Sequence, residues 1–215
     1  PGVNLAGANL DGANLTYVNL RGVTSGPITG NPSLPDDYSI INDYIVGPSV
    51  NLLNADLSGA DLTNTTLTGV RSGDVQGNPS LPSGYVIENG YIVGPGVILA
   101  GADLDGADLS NADLTGVTSG NVTGEPTLLP DNYSIIKGYI VGPGVNLSGA
   151  YLSGADLRNA TLTGVMSGDI IGIPSSLPDN YSIKKGYIIG PGVNLAGANL
   201  DGADLTNADL TNTDL

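Results

Sequence analysis

Leucine returns every five residues. In the stretch Val97 to Gly116, VILAG ADLDG ADLSN ADLTG, the third position of four successive units is Leu99, Leu104, Leu109 and Leu114. A period of five matches neither the 3.6 of an amphipathic helix nor the alternation of an ordinary strand. Side chains alternate in direction along extended backbone, so a chain that coils in five-residue segments points the first and third residue of each inward and the others outward. Stacking such coils buries the leucines. Twenty-one units in five blocks keep this leucine, which makes a repeat array the governing constraint.

The tandem A(D/N)LxG motif resembles the pentapeptide-repeat proteins. The resemblance implies an all-β fold, a right-handed quadrilateral β-helix with one pentapeptide per side and four per coil. It also implies that the outward Asn or Asp before each Leu supports a coil corner, in keeping with the habit of short polar side chains to bond nearby backbone in turns.

A longer repeat is superimposed. It begins at Pro1, Pro48, Pro95, Pro143 and Pro191, dividing a single solenoid, 1–215, into repeats 1–47, 48–94, 95–142, 143–190 and a partial 191–215. In each full repeat a regular coil precedes a leucine-free half such as Val70 to Gly96. Counting in fives gives Val70 and Val75, then Ile87 and Ile92, with a surplus between the pairs. The reading is a second coil plus a 7- to 8-residue loop excursion. The segments that differ in length are NPSLP (Asn31 to Pro35, Asn78 to Pro82), EPTLLP (Glu125 to Pro130) and IPSSLP (Ile173 to Pro178), and the excursion is assigned there. Proline at these points denies ladder hydrogen bonds, so the excursions are expected to be separable from the fold. About nine coils at roughly 4.8 Å each predict a rod slightly longer than about 40 Å.

The expected core is Leu57, Leu62, Leu104, Leu109, Leu157 and Leu162, with Ala60, Ala107 and Ala155 beside them. In the second coil Ser72 and Gly77 take the leucine position while Val and Ile take the alanine position, an exchange of sizes that keeps the interior filled. Tyr38 and Tyr44, Tyr85 and Tyr91, Tyr133 and Tyr139, and Tyr181 and Tyr187 either complete the filling or clamp the loop from outside. Two registers are open: Ile92 and Gly94 inward, or Tyr91 and Val93.

The composition removes most chemistry. Without Cys there is no disulfide or thiolate site, and without His the usual general base and commonest metal ligand are missing. No SxxK or phosphate-loop arrangement occurs, and carboxylate pairs need a cleft that a convex coil lacks. No catalytic residue and no cofactor are expected. A column of Asp61, Glu88 and Asp108, with Asp156, Lys184 and Asp204 further along, offers at most a weak calcium site. The net charge of -15, from 21 acidic and 6 basic residues, disfavours direct binding of nucleic acid or insertion at anionic lipid.

The function expected is therefore structural: a rigid spacer or a surface or filament segment that displays loops to a protein partner or stacks end to end. The display residues are Asp36, Asp37, Tyr38, Asp131, Asn132, Tyr133, Asp179, Asn180 and Tyr181. The first alternative comes from the resemblance, whose gyrase-protecting members imply inhibition by DNA mimicry; absence of Phe and of a helical C-terminal segment sets this chain apart from them. The second is a weak cation- or glycan-binding surface, but Arg71, Met166, Gln76 and Ile171 interrupt the threonine columns that start at Thr24, Thr118, Thr29 and Thr123. The composition suits an extracellular or cell-surface protein, while the resemblance also admits a cytoplasmic one. The pattern runs to both ends, so a longer natural chain is expected.

Overall fold

The computed structural model describes residues 2–215 and is all-β: the described residues contain no helix, only eight three-residue strands and a series of isolated parallel bridges. The chain forms two compact units, one reaching to Leu99 and including Asn111–Asp113, the other comprising Ala100–Ser110 and Leu114–Leu215.

In the first unit, parallel bridges link Asn4, Thr24, Asn51, Arg71 and Ile98 in succession, at spacings that alternate between 20 and 27 residues. In the second they link Thr118, Asn146, Met166, Asn194 and Asp214, at 28 and 20. The short step is one coil. The long step is a coil plus an insertion. The leucines of the regular coils turn inward as the five-residue pattern requires: Leu57, Leu62, Leu104, Leu109, Leu157 and Leu162 are at most 1% exposed, and Ala60, Ala107 and Ala155 at most 4%.

The insertion is a β-hairpin, not a loop. Strands β1 (Ser39–Ile41) and β2 (Tyr44–Val46), β3 (Val86–Glu88) and β4 (Tyr91–Val93), β5 (Ser134–Ile136) and β6 (Tyr139–Val141), and β7 (Ser182–Lys184) and β8 (Tyr187–Ile189) pair antiparallel, one hairpin per repeat. Each closes on two residues with positive φ, Asn42-Asp43, Asn89-Gly90, Lys137-Gly138 and Lys185-Gly186, the I′ geometry whose twist matches the strands it joins.

This corrects the placement of the excursion. The prolyl segments assigned to it are ladder segments instead: Ser33 bridges Asn14, Ser80 bridges Asp61, Leu128 bridges Asp108 and Ser176 bridges Asp156. The length difference between repeats is absorbed by a bulge. In the 47-residue repeats one amide, that of Ser33 or Ser80, donates to the carbonyl of Ala13 or Ala60 at 2.9 Å. In the 48-residue repeats two consecutive amides share one carbonyl: Thr127 and Leu128 both donate to Ala107, at 2.8 and 3.4 Å, and Ser175 and Ser176 both donate to Ala155 at the same distances. Two residues opposing one is how an extended pair takes in an extra residue without losing register.

The hairpin passes through the coil interior. Its tip meets the corner between the first and second segments, where the Val75 amide donates to the Gly90 carbonyl at 3.0 Å, as Val122 does to Gly138 and Ile170 to Gly186. Ile92 and Val93 are both fully buried, as are Ile45 with Val46 and Ile140 with Val141. Both faces of the returning strand are thus covered, which dissolves the choice between registers. A strand covered on both faces reads as a continuous apolar run, here Tyr-Ile-Val or Tyr-Ile-Ile, and not as an alternation.

Crossing the core poses one electrostatic problem. The pair next to the closing pair of a two-residue hairpin, Ile87 with Ile92, directs its amides away from the partner strand. Buried without an acceptor, that N–H would cost about 1 to 3 kcal/mol. A serine hydroxyl accepts it in every repeat: Ser25 from Ile45 at 2.6 Å, Ser72 from Ile92 at 2.8 Å, Ser119 from Ile140 at 2.8 Å and Ser167 from Ile188 at 2.9 Å. These serines occupy the leucine position of the second coil, so the hairpin fills the space that the leucine vacates.

This packing sets the expected outcome of three changes. Ala107→Phe should overpack the regular coil and lower stability by about 1 to 3 kcal/mol in chemical denaturation; no change in midpoint would place Ala107 outside the core. Ser72→Ala should cost about 1 to 3 kcal/mol and Ser72→Thr, which keeps the acceptor, less, with amide exchange of Ile92 accelerated in the alanine variant only. Deleting Pro79 to Pro82, by contrast, removes a bridged segment and should lower stability as well as strand content by circular dichroism.

Candidate functional site

With the core sealed, candidate chemistry lies at the corners, the prolyl turns and the hairpin tips. The corners use the Asn or Asp that precedes each leucine. Its Oδ1 accepts the amide two residues on: Ala6 to Asn4 at 2.9 Å, Ser58 to Asp56 at 3.0 Å, Thr63 to Asp61 at 3.0 Å, Ser110 to Asp108 at 3.0 Å, Thr206 to Asp204 at 3.0 Å. Either residue type serves, since the amide and the carboxylate present the same oxygen.

The prolyl turn is a β-turn in which the tyrosine amide donates to the proline carbonyl: Tyr38 to Pro35, Tyr85 to Pro82, Tyr133 to Pro130 and Tyr181 to Pro178, at 3.0 to 3.2 Å. Asn132 and Asn180, both at φ 69°, and Gly84, at φ 84°, supply the left-handed third residue of a type II turn. Asp36, Asp37, Asp131, Asn132, Asp179 and Asn180 are exposed. The tyrosines are not. Tyr38, Tyr133 and Tyr181, expected among the display residues, turn back, half-buried, and donate their hydroxyls to the Pro48, Pro143 and Pro191 carbonyls at 2.7 to 2.9 Å. Their rings lie so close to Gly47, Gly142 and Gly190 that a Cβ there would stand 2.2 to 2.4 Å from a ring carbon. Burial raises the phenol pKa of Tyr38, Tyr85 and Tyr181 above its ordinary value.

The second tyrosine of each pair has another task. The hydroxyls of Tyr44, Tyr139 and Tyr187 accept the amides of Asp56, Tyr151 and Asn199 at 3.1, 2.9 and 3.2 Å. Those amides belong to the second segment of the following coil, so the tyrosines join one repeat to the next where the hairpin has displaced the backbone bridge. Sequence reading missed this joint along with the serine acceptors; the signal that points to both is the apolar triplet on either side of Asn-Gly at 89 and 90.

The proposed carboxylate column is not assembled. Asp61 bridges Ser80 and Asp108 bridges Leu128, whereas Glu88 sits in β3 opposite Tyr91. Asp156 likewise bridges Ser176, and Lys184 lies in β7. Among the described residues no group of three His, Cys, Asp or Glu is placed to hold a metal ion. No helix among them is long and apolar enough to cross a membrane.

Hydrogen bonds lower the pKa of the corner carboxylates. The Thr63 hydroxyl and amide act on Asp61, those of Ser110 on Asp108, those of Ser58 on Asp56 and those of Thr211 on Asp209. A carboxylate whose pKa is lower folded than unfolded contributes stability that is present above the unfolded value, about 3.9, and lost as pH falls through the folded one. Melting temperature should therefore fall more below about pH 4 in the native chain than in an Asp56→Asn, Asp61→Asn, Asp108→Asn variant, whose amides keep the corner bond. Equal acid sensitivity would show that these corners do not couple to folding.

Comparison with family models brings out one match, to pentapeptide repeats, in eight copies over residues 1–24, 49–71, 95–118, 144–166 and 191–215. The matched segments are the regular coils with the start of the coil that follows; the intervening segments carry the hairpins. Comparison with curated proteins and with solved structures gave no match. The family match spans more than half of the chain and coincides with the buried leucine coils, so the chain belongs to the pentapeptide-repeat family.

Proposed function

We infer that the chain is a non-catalytic structural protein, a stiff spacer or surface-filament segment that presents its prolyl turns to a protein partner and associates end to end. In this reading each coil has the right-handed, four-sided form of the family, and the protein works outside the cell or on its surface. The observation that carries the reading is where the polar side chains go. Corner carboxylates and amides bond their own backbone, and the hairpin serines and tyrosines close the joints between coils. Exposed for a partner is the pair of polar residues at the prolyl turns of the first, third and fourth repeats, held on a ladder. End-to-end association would set the residues of one first coil, Leu5, Leu10 and Leu15 with Val3 and Val18, against a terminal coil of the next chain.

Sedimentation velocity tests the reading. Association should strengthen from low to high salt, because screening relieves repulsion between chains of charge -15. Leu10→Asp with Leu15→Asp should abolish it. A monomer at high concentration under both salt conditions would overturn end-to-end assembly. Alanine at Asp36, Asp37, Asp131, Asn132, Asp179 and Asn180 should reduce association with a partner while shifting stability by no more than about 0.5 kcal/mol per site; a larger loss would show that the turns serve the fold.

A further inference from the structure

The fourth repeat breaks a rule that the other three keep. Tyr151 stands where Asn9, Asp56 and Asp103 stand in the others, Ile171 where Thr29, Gln76 and Thr123 stand, and Ile173 where Asn31, Asn78 and Glu125 stand. None of the three is turned inward: Tyr151 and Ile171 are 55% exposed and Ile173 is 85% exposed. They are contiguous. Tyr151 and Ile171 are parallel bridge partners, and Ile173 lies two residues on, along the same extended segment. Behind Ile173 a shallow groove is lined by Pro174, Leu177 and Ile183. Single exposed apolar residues are ordinary, but a contiguous set replacing polar residues in register marks a surface made to be covered.

The hairpin tips of the same region change as well. The first turn residue is Asn42 and Asn89 in the first two repeats and Lys137 and Lys185 in the third and fourth. All four have φ between 49 and 51°, a conformation that asparagine tolerates and lysine does not favour. Backbone geometry alone would therefore select asparagine. The lysines flank the apolar set. Lys137 Nζ comes within 4.0 Å of the point where a side chain on Gly154 would begin, and the Gly154 amide donates to the Ile173 carbonyl at 2.8 Å. The Lys185-Gly186 tip lies against the backbone of Asp169 and Ile170, just before Ile171, and Lys185 Nζ donates to the Asp201 carbonyl. Of the nearby carboxylates, Asp156 is already engaged by the Ser176 hydroxyl and the Arg158 guanidinium.

We propose that Tyr151, Ile171 and Ile173, between Lys137 and Lys185, form a docking surface for an extended protein segment that carries an apolar anchor flanked by carboxylates. Charge complementarity selects this occupant. Two lysines bracketing an apolar strip, on a chain of charge -15, place a cationic contact at each end of it, and carboxylates flanking an apolar anchor are the groups that pair with them. A second copy docked through the same strip about a two-fold axis sets lysines against lysines and one acidic body against another. A flat anionic membrane meets the carboxylates of the whole surface, whereas an extended segment reaches the strip and its two lysines alone. The surface is separate from the prolyl turns proposed above for display.

Fluorescence anisotropy on the full chain tests the proposal. The probe is a labelled peptide with a Phe-Leu-Ile centre and two glutamates on each side, and the control is its twin flanked by lysines. The glutamate peptide should bind saturably and weaken with salt, and the lysine peptide should bind about tenfold more weakly or worse. Tyr151→Asp, Ile171→Gln, Ile173→Asn restores the residues of the second repeat, so it should fold as the native chain does by circular dichroism yet lose about tenfold or more in affinity. Lys137→Asn with Lys185→Asn should abolish the preference between the two peptides. Absence of saturable binding, or equal binding by the folded triple variant, overturns the proposal. So does binding of phosphatidylserine vesicles through these residues, or a dimer that the triple variant dissolves.

Discussion

A single buried amide organises this protein. When a hairpin crosses the inside of a coil, one of its central N–H groups faces neither its partner strand nor water, and an interior without an acceptor would expel it. The serine at the leucine position supplies the acceptor. Its small size also opens the space through which the hairpin passes, so one substitution answers both a polar and a steric requirement. Other departures in the second coil follow from it. Valine and isoleucine replace alanine at Val75, Val122 and Ile170, where the hairpin tip meets the coil, and glycine underlies the rings of Tyr38, Tyr85, Tyr133 and Tyr181 because no side chain fits beneath them.

Much of the regular coil was legible in sequence, because a five-residue leucine period admits few other geometries. The hairpin was not read, although its signal was present. Counting in fives absorbed Val86-Ile87-Glu88 and Tyr91-Ile92-Val93 as two more sides of a coil, and the Asn-Gly between them passed for a corner. In the third and fourth repeats the turn is Lys-Gly, a weaker sign. Ser72 could not be recognised as an acceptor until the strand that needs it was known. The prolyl segments misled for a different reason: variable length usually marks backbone outside the sheet, but here a shared carbonyl at Ala107 and at Ala155 takes in the extra residue. The carboxylate column failed with the same miscount, since it placed Glu88 on a side that Ser80 occupies.

The acidic surface reads differently once the corners are seen. Asp and Asn alternate freely at the position before leucine because the corner requires only an oxygen, so charge accumulates there as a by-product of a structural choice and serves solubility. The basic residues follow another logic. Lys137 and Lys185 stand at backbone positions where asparagine is the easier fit, next to the apolar strip of the fourth repeat. A costly residue at a restrictive site carries more information than an inexpensive one at a permissive site.

The interrupted ladder also has a mechanical meaning. In each unit the first segments are linked without a break, and backbone bonds continue through the corner before them, as from Gly69 to Gly96 and from Gly116 to Gly144. Second and third segments are bridged only inside a repeat, with tyrosine hydroxyls closing the joint to the next. Tension along the coil stack therefore meets a stiff seam on one edge and a row of individually weak fasteners on the other. The weak edge opens first, at a repeat boundary, while the seam keeps the repeats in register so that each fastener can close again when the force is removed. Within each unit such a boundary swings open like a hinge and does not lengthen, because the seam fixes the spacing of the coils while the opposite edge parts.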